Sequence, residues 1–188
     1  MCIRDSYSVV DGIFVSNFVG KSAFASVNLI MPYLMGISAL GFMIGTGGSA
    51  FVSKTLGEGK KELANQYFSM LVTIAAIGGF VLSVLSFIFM RRIVMAFGAA
   101  GDLIDYCTLY GRISCISLTA FMLQNVFQSF FVAAGKPQLG LKVIVAAGCT
   151  NIVLDALFIG VLHFGIAGAA FATMTSEFIG GLLPVVYF

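Results

Sequence analysis

Apolar residues fall along this sequence in long blocks separated by brief polar punctuation, and most of the blocks are long enough to cross a lipid bilayer. A hydrocarbon core about 30 Å thick needs about 20 helical residues at 1.5 Å each. The first block, Tyr7–Val19, holds Asp11 and is too short to cross, so it reads as the back half of a helix. Gly20, Lys21 and Ser22 predict a turn. A second block from Ala23 to Val52 predicts a span kinked at Pro32, because proline removes a backbone donor and crowds the preceding turn. Ser53–Glu62, with Lys54, Glu58, Lys60 and Lys61, predicts a loop. The third span, Leu63–Met90, ends at Arg91 and Arg92. Ile93–Asp105 mixes apolar residues with Gly98, Gly101, Asp102 and Asp105, a pattern that predicts an interfacial segment. Span four, Tyr106–Ala134, carries Asn125 and Gln128 and is followed by a turn at Gly135-Lys136-Pro137. Span five runs from Leu139 to Leu162, His163–Gly165 is a turn, and span six begins near Ile166.

Composition sharpens this to an all-α, polytopic membrane protein. The 188 residues are 60% hydrophobic and 10% charged, against about 25% charged in soluble domains, and mean hydropathy is +1.05. The length accommodates about six helices with short loops. A net charge of +2, without a basic cluster interleaved with aromatics, argues against a nucleic-acid partner. Cys2, Cys107, Cys115 and Cys149 form no CxxC and do not pair with His163, and Cys107, Cys115 and Cys149 read as small apolar helix residues with no metal or disulfide role; no cofactor is expected. The small residues from Gly41 to Ala50 read as a face for close helix approach. They are not a phosphate loop, because no Gly-Lys-Ser/Thr follows them.

The ends change the picture of domain organisation. Met1–Ser6 carries no signal peptide and reads as a foreign leader, while Phe188 stops in an apolar run. The expectation is a fragment in which residues 7–188 form one six-helix lobe with a truncated first helix.

Orientation follows from loop charge. Lys54, Lys60, Lys61, Lys136 and Lys142 cluster around the loops after spans two and four, and the opposite side holds Lys21, Arg91, Arg92 and Arg112. That bias puts the loops after spans two and four in the cytoplasm, so spans one and five run outward. Asp11 and Asp155 then lie at matching depth, about 12 Å from the outer surface, since each precedes its outer exit by about eight residues. Asn151 lies one turn deeper than Asp155 on the same helical face. Thr173 of the inward-running span six reaches nearly the same level, with Glu177 one turn deeper.

An ionisable residue at membrane depth is costly and is a functional candidate by default. Two carboxyls in a low-dielectric site cannot both ionise cheaply, so the Asp11/Asp155 pair reads as a proton carrier. The same oxygens, with the Asn151 amide and the Thr173 hydroxyl, equally read as a hard-oxygen cage for Na⁺. A third reading has the aspartates simply hydrogen-bonding neighbouring helices. Glu177, Asn125 and Gln128 are candidates for additional polar positions in a cavity.

These residues carry a family resemblance. Tyr7-Ser-Val-Val-Asp11-Gly-Ile-Phe-Val-Ser-Asn-Phe-Val-Gly20 is similar to the end of the first helix of multidrug and toxic compound extrusion (MATE) transporters. Gly45-Thr-Gly-Gly-Ser-Ala50 followed by Leu56-Gly-Glu-Gly-Lys60 resembles that family's second helix and first cytoplasmic loop. Gly135-Lys-Pro, Asn151-Ile-Val-Leu-Asp155-Ala-Leu-Phe-Ile and Gly165-Ile-Ala-Gly-Ala-Ala-Phe-Ala-Thr173 resemble its fourth loop, fifth helix and sixth helix. The resemblance covers Tyr7 to the end, and its strength lies in the ordered set.

The resemblance implies the N-terminal lobe of a twelve-helix transporter of the prokaryotic type, working with a C-terminal lobe of the same protein. It implies export of small organic compounds, often cationic or amphipathic, across the cytoplasmic (inner) membrane, driven by H⁺ or Na⁺. It also implies a cation site made by Asp11, Asp155, Asn151 and Thr173, with no cofactor and no enzymatic activity. Gln128 departs from an asparagine that relatives often carry, and Glu177 from a position that is commonly an amide.

Within transport, a lipid-linked sugar flippase of the same superfamily is the alternative, but it is expected to present basic residues to its cavity. An intramembrane aspartyl protease is the alternative from another class. Neither Asp11 nor Asp155 lies in the Gly-x-Gly-Asp context expected of one. A half-size protein working as a dimer is the remaining reading, and the short first helix weighs against it.

Overall fold

In the computed structural model, residues 11–187 are described, and every regular element among them is helical. The expected leader Met1–Ser6, the start of the first block at Tyr7, and Phe188 lie outside the described residues. Helix α1 covers residues 11–19, its last stretch, Val15–Val19, being π-helical. Then come α2 (Lys21–Gly57), α3 (Lys61–Ala96), α4 (Leu103–Ala133), α5 (Pro137–Asp155) and α6 (Gly165–Tyr187). Helix α5 continues without a break into a second π-helical stretch, Ala156–Val161. Five of these helices are long and apolar enough to cross a membrane, and the chain is a multi-pass membrane protein.

The helices run further than their apolar blocks. The turn expected at Gly20–Ser22 reduces to Gly20, whose φ of 119° lies in the region that favours glycine, and Lys21 and Ser22 begin α2. Helix α2 continues through Pro32 and on through Ser53–Gly57, so the expected polar loop shrinks to Glu58–Lys60. Hydroxyl side chains tolerate this because they bond back to their own helix, as Thr55 does to the Phe51 carbonyl at 3.0 Å. At 37 residues and about 1.5 Å each, α2 is about 55 Å long, well beyond a 30 Å hydrocarbon core.

The expected interfacial segment at Ile93–Asp105 is also corrected. Residues 93–96 end α3, Leu103–Asp105 begin α4, and the turn between them uses Gly98 and Gly101 at positive φ. Burial explains the difference. Met90, Val94 and Ala99 pack into a core with Cys107 and Tyr110, so the segment is drawn inward instead of lying along the membrane surface.

Helix α4 is the axis of the bundle and packs against α2, α3, α5 and α6. Lipid tails are as apolar as leucine, so helices in a bilayer associate by close packing rather than by hydrophobic exclusion. Small residues supply that closeness. Gly41 and Gly45 of α2 lie against the α4 backbone at Met122 and Val126, and Gly48 lies against Leu71 of α3. Gly181 and Gly180 of α6 approach Ala120 and Gln124 of α4 in the same way. Within the stretch from Gly41 to Ala50, Gly41, Gly45 and Gly48 thus form the packing face that its composition predicts, while Gly47 faces open space. Large apolar side chains such as Phe80, Val132 and Val153, each 65% exposed, point away from the bundle.

Candidate functional site

Two helices deliver the central acids, and both change geometry just beyond them. Asp11 is followed by the π-helical Val15–Val19, closed by a Gly20 N–H to Val15 carbonyl bond of 3.1 Å. Asp155 is followed at once by Ala156–Val161, closed by a Leu162 N–H to Leu157 carbonyl bond of 2.9 Å. The two π-helical stretches pack against each other and against α6. Gly168 of α6 makes room for this, since a Cβ there would stand 3.2 Å from the backbone of Phe158. π-Helical turns are rare and concentrate at functional sites.

The carboxyls of Asp11 and Asp155 meet side chain to side chain. Asp11 is 3% exposed and Asp155 0%. Neither Asp155 oxygen, nor Asp11 Oδ1, receives a hydrogen bond from any donor in the structure. Two buried carboxylates facing each other without donors repel, so the arrangement calls for a shared proton or a bound cation. Asn151 lies one turn deeper on the buried stripe of α5 formed by Gly140, Ala147, Gly148, Asn151 and Asp155. Its Oδ1 is also buried without a partner.

Tyr110 of α4 ties the acids to α6. It is 0% exposed, its hydroxyl lies beside Thr173, and Asp11, Asp155 and Glu177 all act on it electrostatically. The hydroxyl has no well-formed hydrogen bond. Ser117 of α4 donates to Glu177 Oε2 at 2.6 Å. Among the described residues, no three His, Cys, Asp or Glu side chains gather as a metal cage.

Of the residues singled out in the sequence, Asp11, Asp155 and Thr173 converge through Tyr110, and Asn151 lies on the same buried face as Asp155. Asn125 and Gln128 do not join them. Asn125 donates its amide to the Ser38 carbonyl of α2 at 3.3 Å, and Gln128 donates to the Gly140 carbonyl of α5 at 3.1 Å. Both act between helices, and the cavity between α2, α4, α5 and α6 is lined instead by Gln124, with Tyr110, Ser114, Thr173, Ser176 and Glu177.

Tyr110 is the residue that sequence reasoning missed. The depth count would have found it: it lies about seven residues, or about 10 Å, into α4 counted from Leu103. Starting span four at Tyr106 put it too near the surface.

A larger open cavity of about 630 Å³ lies between α1 and α2. Asp11, Asn17 and Asn28 supply its polar groups, and Phe24, Met31 and Met35 supply apolar ones.

The comparisons agree with this architecture. The MatE family profile matches residues 1–157. The multidrug export protein MepA of Staphylococcus haemolyticus (strain JCSC1435) is 28% identical over 193 residues, covering 100% of this chain and 42% of that protein. MepA of Staphylococcus aureus (strain MSSA476) is 26% identical, over 100% of this chain and 43% of its own length. This chain thus spans less than half the length of the curated relatives it matches. An outward-facing multidrug resistance MATE family transporter of the MOP superfamily superposes with a TM-score of 0.92 at 28% identity, over 100% of this chain and 41% of that one. An inward-facing structure of such a transporter superposes at 0.91 and 28% identity, over 98% and 42%. With the profile matching most of the chain and the fold shared throughout, this chain belongs to the MatE family.

Proposed function

We propose that this chain is one lobe of a cation-coupled exporter in the cytoplasmic membrane, exchanging H⁺ or Na⁺ for small organic compounds, often cationic or amphipathic. The observation that carries this reading is the buried Asp11/Asp155 pair, in which three of the four carboxyl oxygens meet no hydrogen-bond donor to relieve their charge. Asp11 also borders the 630 Å³ cavity, whose size falls within the usual range of about 300–1,000 Å³ for small-molecule sites. Met31 and Met35 suit a site that accepts varied shapes, since thioethers adapt to irregular contacts. No basic residue lines this cavity among those described, which favours organic cations over the anionic headgroup of a lipid-linked sugar.

Asn151 and Thr173 complete the coupling site by offering an amide and a hydroxyl beside the acids. Cation occupancy relieves the carboxyl pair, and the lobe passes between outward and inward states according to its differential affinity in each. A second lobe of the same protein forms the other wall of the pathway. The near-equal likeness of this chain to outward- and inward-facing relatives supports a lobe that moves as a unit.

The test is Asp155→Asn in the full-length protein. Surface expression should match wild type, while ethidium efflux and drug resistance fall to the level of the empty host. Wild-type resistance in that variant would sink the mechanism.

A further inference from the structure

Glu177 borders a small cavity that the coupling pair does not occupy. The cavity measures about 50 Å³ and lies between α2, α4, α5 and α6, with Tyr110, Ser114, Gln124, Thr173, Ser176 and Glu177 supplying its polar groups. A site needs about 10–15 Å³ on this measure to hold one water-sized occupant, so there is room for a few. Organic substrates need about 300 Å³ or more and do not fit.

The lining is unsatisfied in a specific way. Tyr110 is 0% exposed and Ser114 is 4% exposed, and both hydroxyl oxygens lack a hydrogen-bond partner. Buried polar atoms in this state mark a missing occupant. Ser176 donates to the Thr173 carbonyl at 2.8 Å, which leaves its own oxygen lone pairs to accept or coordinate. Ser117 donates to one oxygen of Glu177 and holds the carboxylate in place. The occupant therefore meets a carboxylate and several neutral oxygens, close to the field of Asp11 and Asp155. An anion is excluded by that field, and a small cation is favoured.

We propose that this cavity is a second, inner site for a small monovalent cation, Na⁺ or a hydrated proton, held by Glu177 with Tyr110 and Ser114. It extends the coupling reading above and rests on that reading for its role in transport, but the site stands on its own cavity. Tyr110 and Thr173 border both sites, so occupancy of either is felt at the other through their hydroxyls.

The experiment counts cations on the purified full-length protein at equilibrium, which needs no turnover. Radioactive Na⁺ binding forms one arm, and protons released on binding tetraphenylphosphonium form the other. Glu177→Gln keeps the side-chain shape and should bind or release one cation fewer than wild type. The arm in which the loss appears identifies the ion. Ser114→Ala should keep the count and weaken affinity several-fold, which guards against a folding defect in the first variant. An unchanged count in Glu177→Gln overturns the inner site and leaves the cavity to water alone. If Asp155→Asn lowers the count while Glu177→Gln does not, only the inner site falls. If Asp155→Asn leaves the count unchanged, the coupling reading itself falls.

Discussion

Gly41 and Gly47 lie on the same helix, and alanine at the two positions should have opposite effects. A Cβ on Gly41 would stand 2.8 Å from the Met122 carbonyl oxygen and 3.0 Å from Met122 Cα. Ordinary contact begins at 3.4 Å, so α2 and α4 would have to part by about 0.6 Å. The obstacle is backbone, which cannot rotate aside. One turn on, Gly45 already faces Val126 Cα, where a Cβ would stand 2.9 Å away, so the displacement cannot be absorbed by tilting about that point. Overpacking of this kind costs about 1–3 kcal/mol. Gly47 has nothing within 4 Å of where its Cβ would be. Both substitutions gain helix propensity of about 0.8–1 kcal/mol, which cancels when the two variants are compared. Their difference is then the packing term alone. At about 2–4 °C per kcal/mol, Gly41→Ala should melt several degrees below Gly47→Ala. The assay is thermal melting in detergent, followed by retention of the monodisperse peak. A Gly41→Ala protein that melts at or above Gly47→Ala would refute close α2–α4 packing as the basis of the fold.

Tyr110→Phe removes a buried hydroxyl that has no partner, so melting temperature should hold or rise, by up to about 1–3 kcal/mol of relieved burial. If the proposed exporter reading holds, efflux by the full-length protein should nonetheless fall about tenfold, equivalent to about 1.4 kcal/mol, as measured by ethidium loss from loaded cells. Tyr33→Phe breaks the 2.7 Å bond to Ser86, which is 3% exposed, and should destabilise by about 1–3 kcal/mol. Adding Ser86→Ala should restore part of that loss in a double-mutant melting cycle, and strict additivity would count against the bond. Gln128→Leu should cost about 1 kcal/mol of stability through the lost bond to Gly140, with efflux per folded molecule unchanged. A selective loss of efflux would place Gln128 back in the transport site.

The spans were legible because bilayer thickness sets a minimum apolar length, which the blocks from Ala23 onward meet. Their ends were not, because a helix continues into water or into a neighbour's contacts without any change in hydropathy. Lys54 and Val94 illustrate the two cases, one exposed near the end of α2 and the other held by core packing. The pairing of Asp11 with Asp155 was legible because a rise of 1.5 Å per residue converts sequence position into depth. That conversion depends on correct ends, which is why Tyr110 escaped notice. Asn125 and Gln128 show the other gap. Depth says nothing about azimuth, and both amides face helix contacts instead of the acids.

The two π-helical runs make residue count itself a determinant of the site. Val15–Val19 and Ala156–Val161 separate the acids from the outer ends of their helices. Each α-helical residue turns the chain by about 100°, at 3.6 residues per turn. Deleting one residue from Ala156–Val161 would let α5 resume α geometry and swing its outer end by roughly that angle relative to Asp155, breaking the contact with Val15–Val19 and α6. Single-residue insertions and deletions, normally confined to loops, would therefore act here inside a membrane span as a dial on the rotational phase of the carboxyl pair.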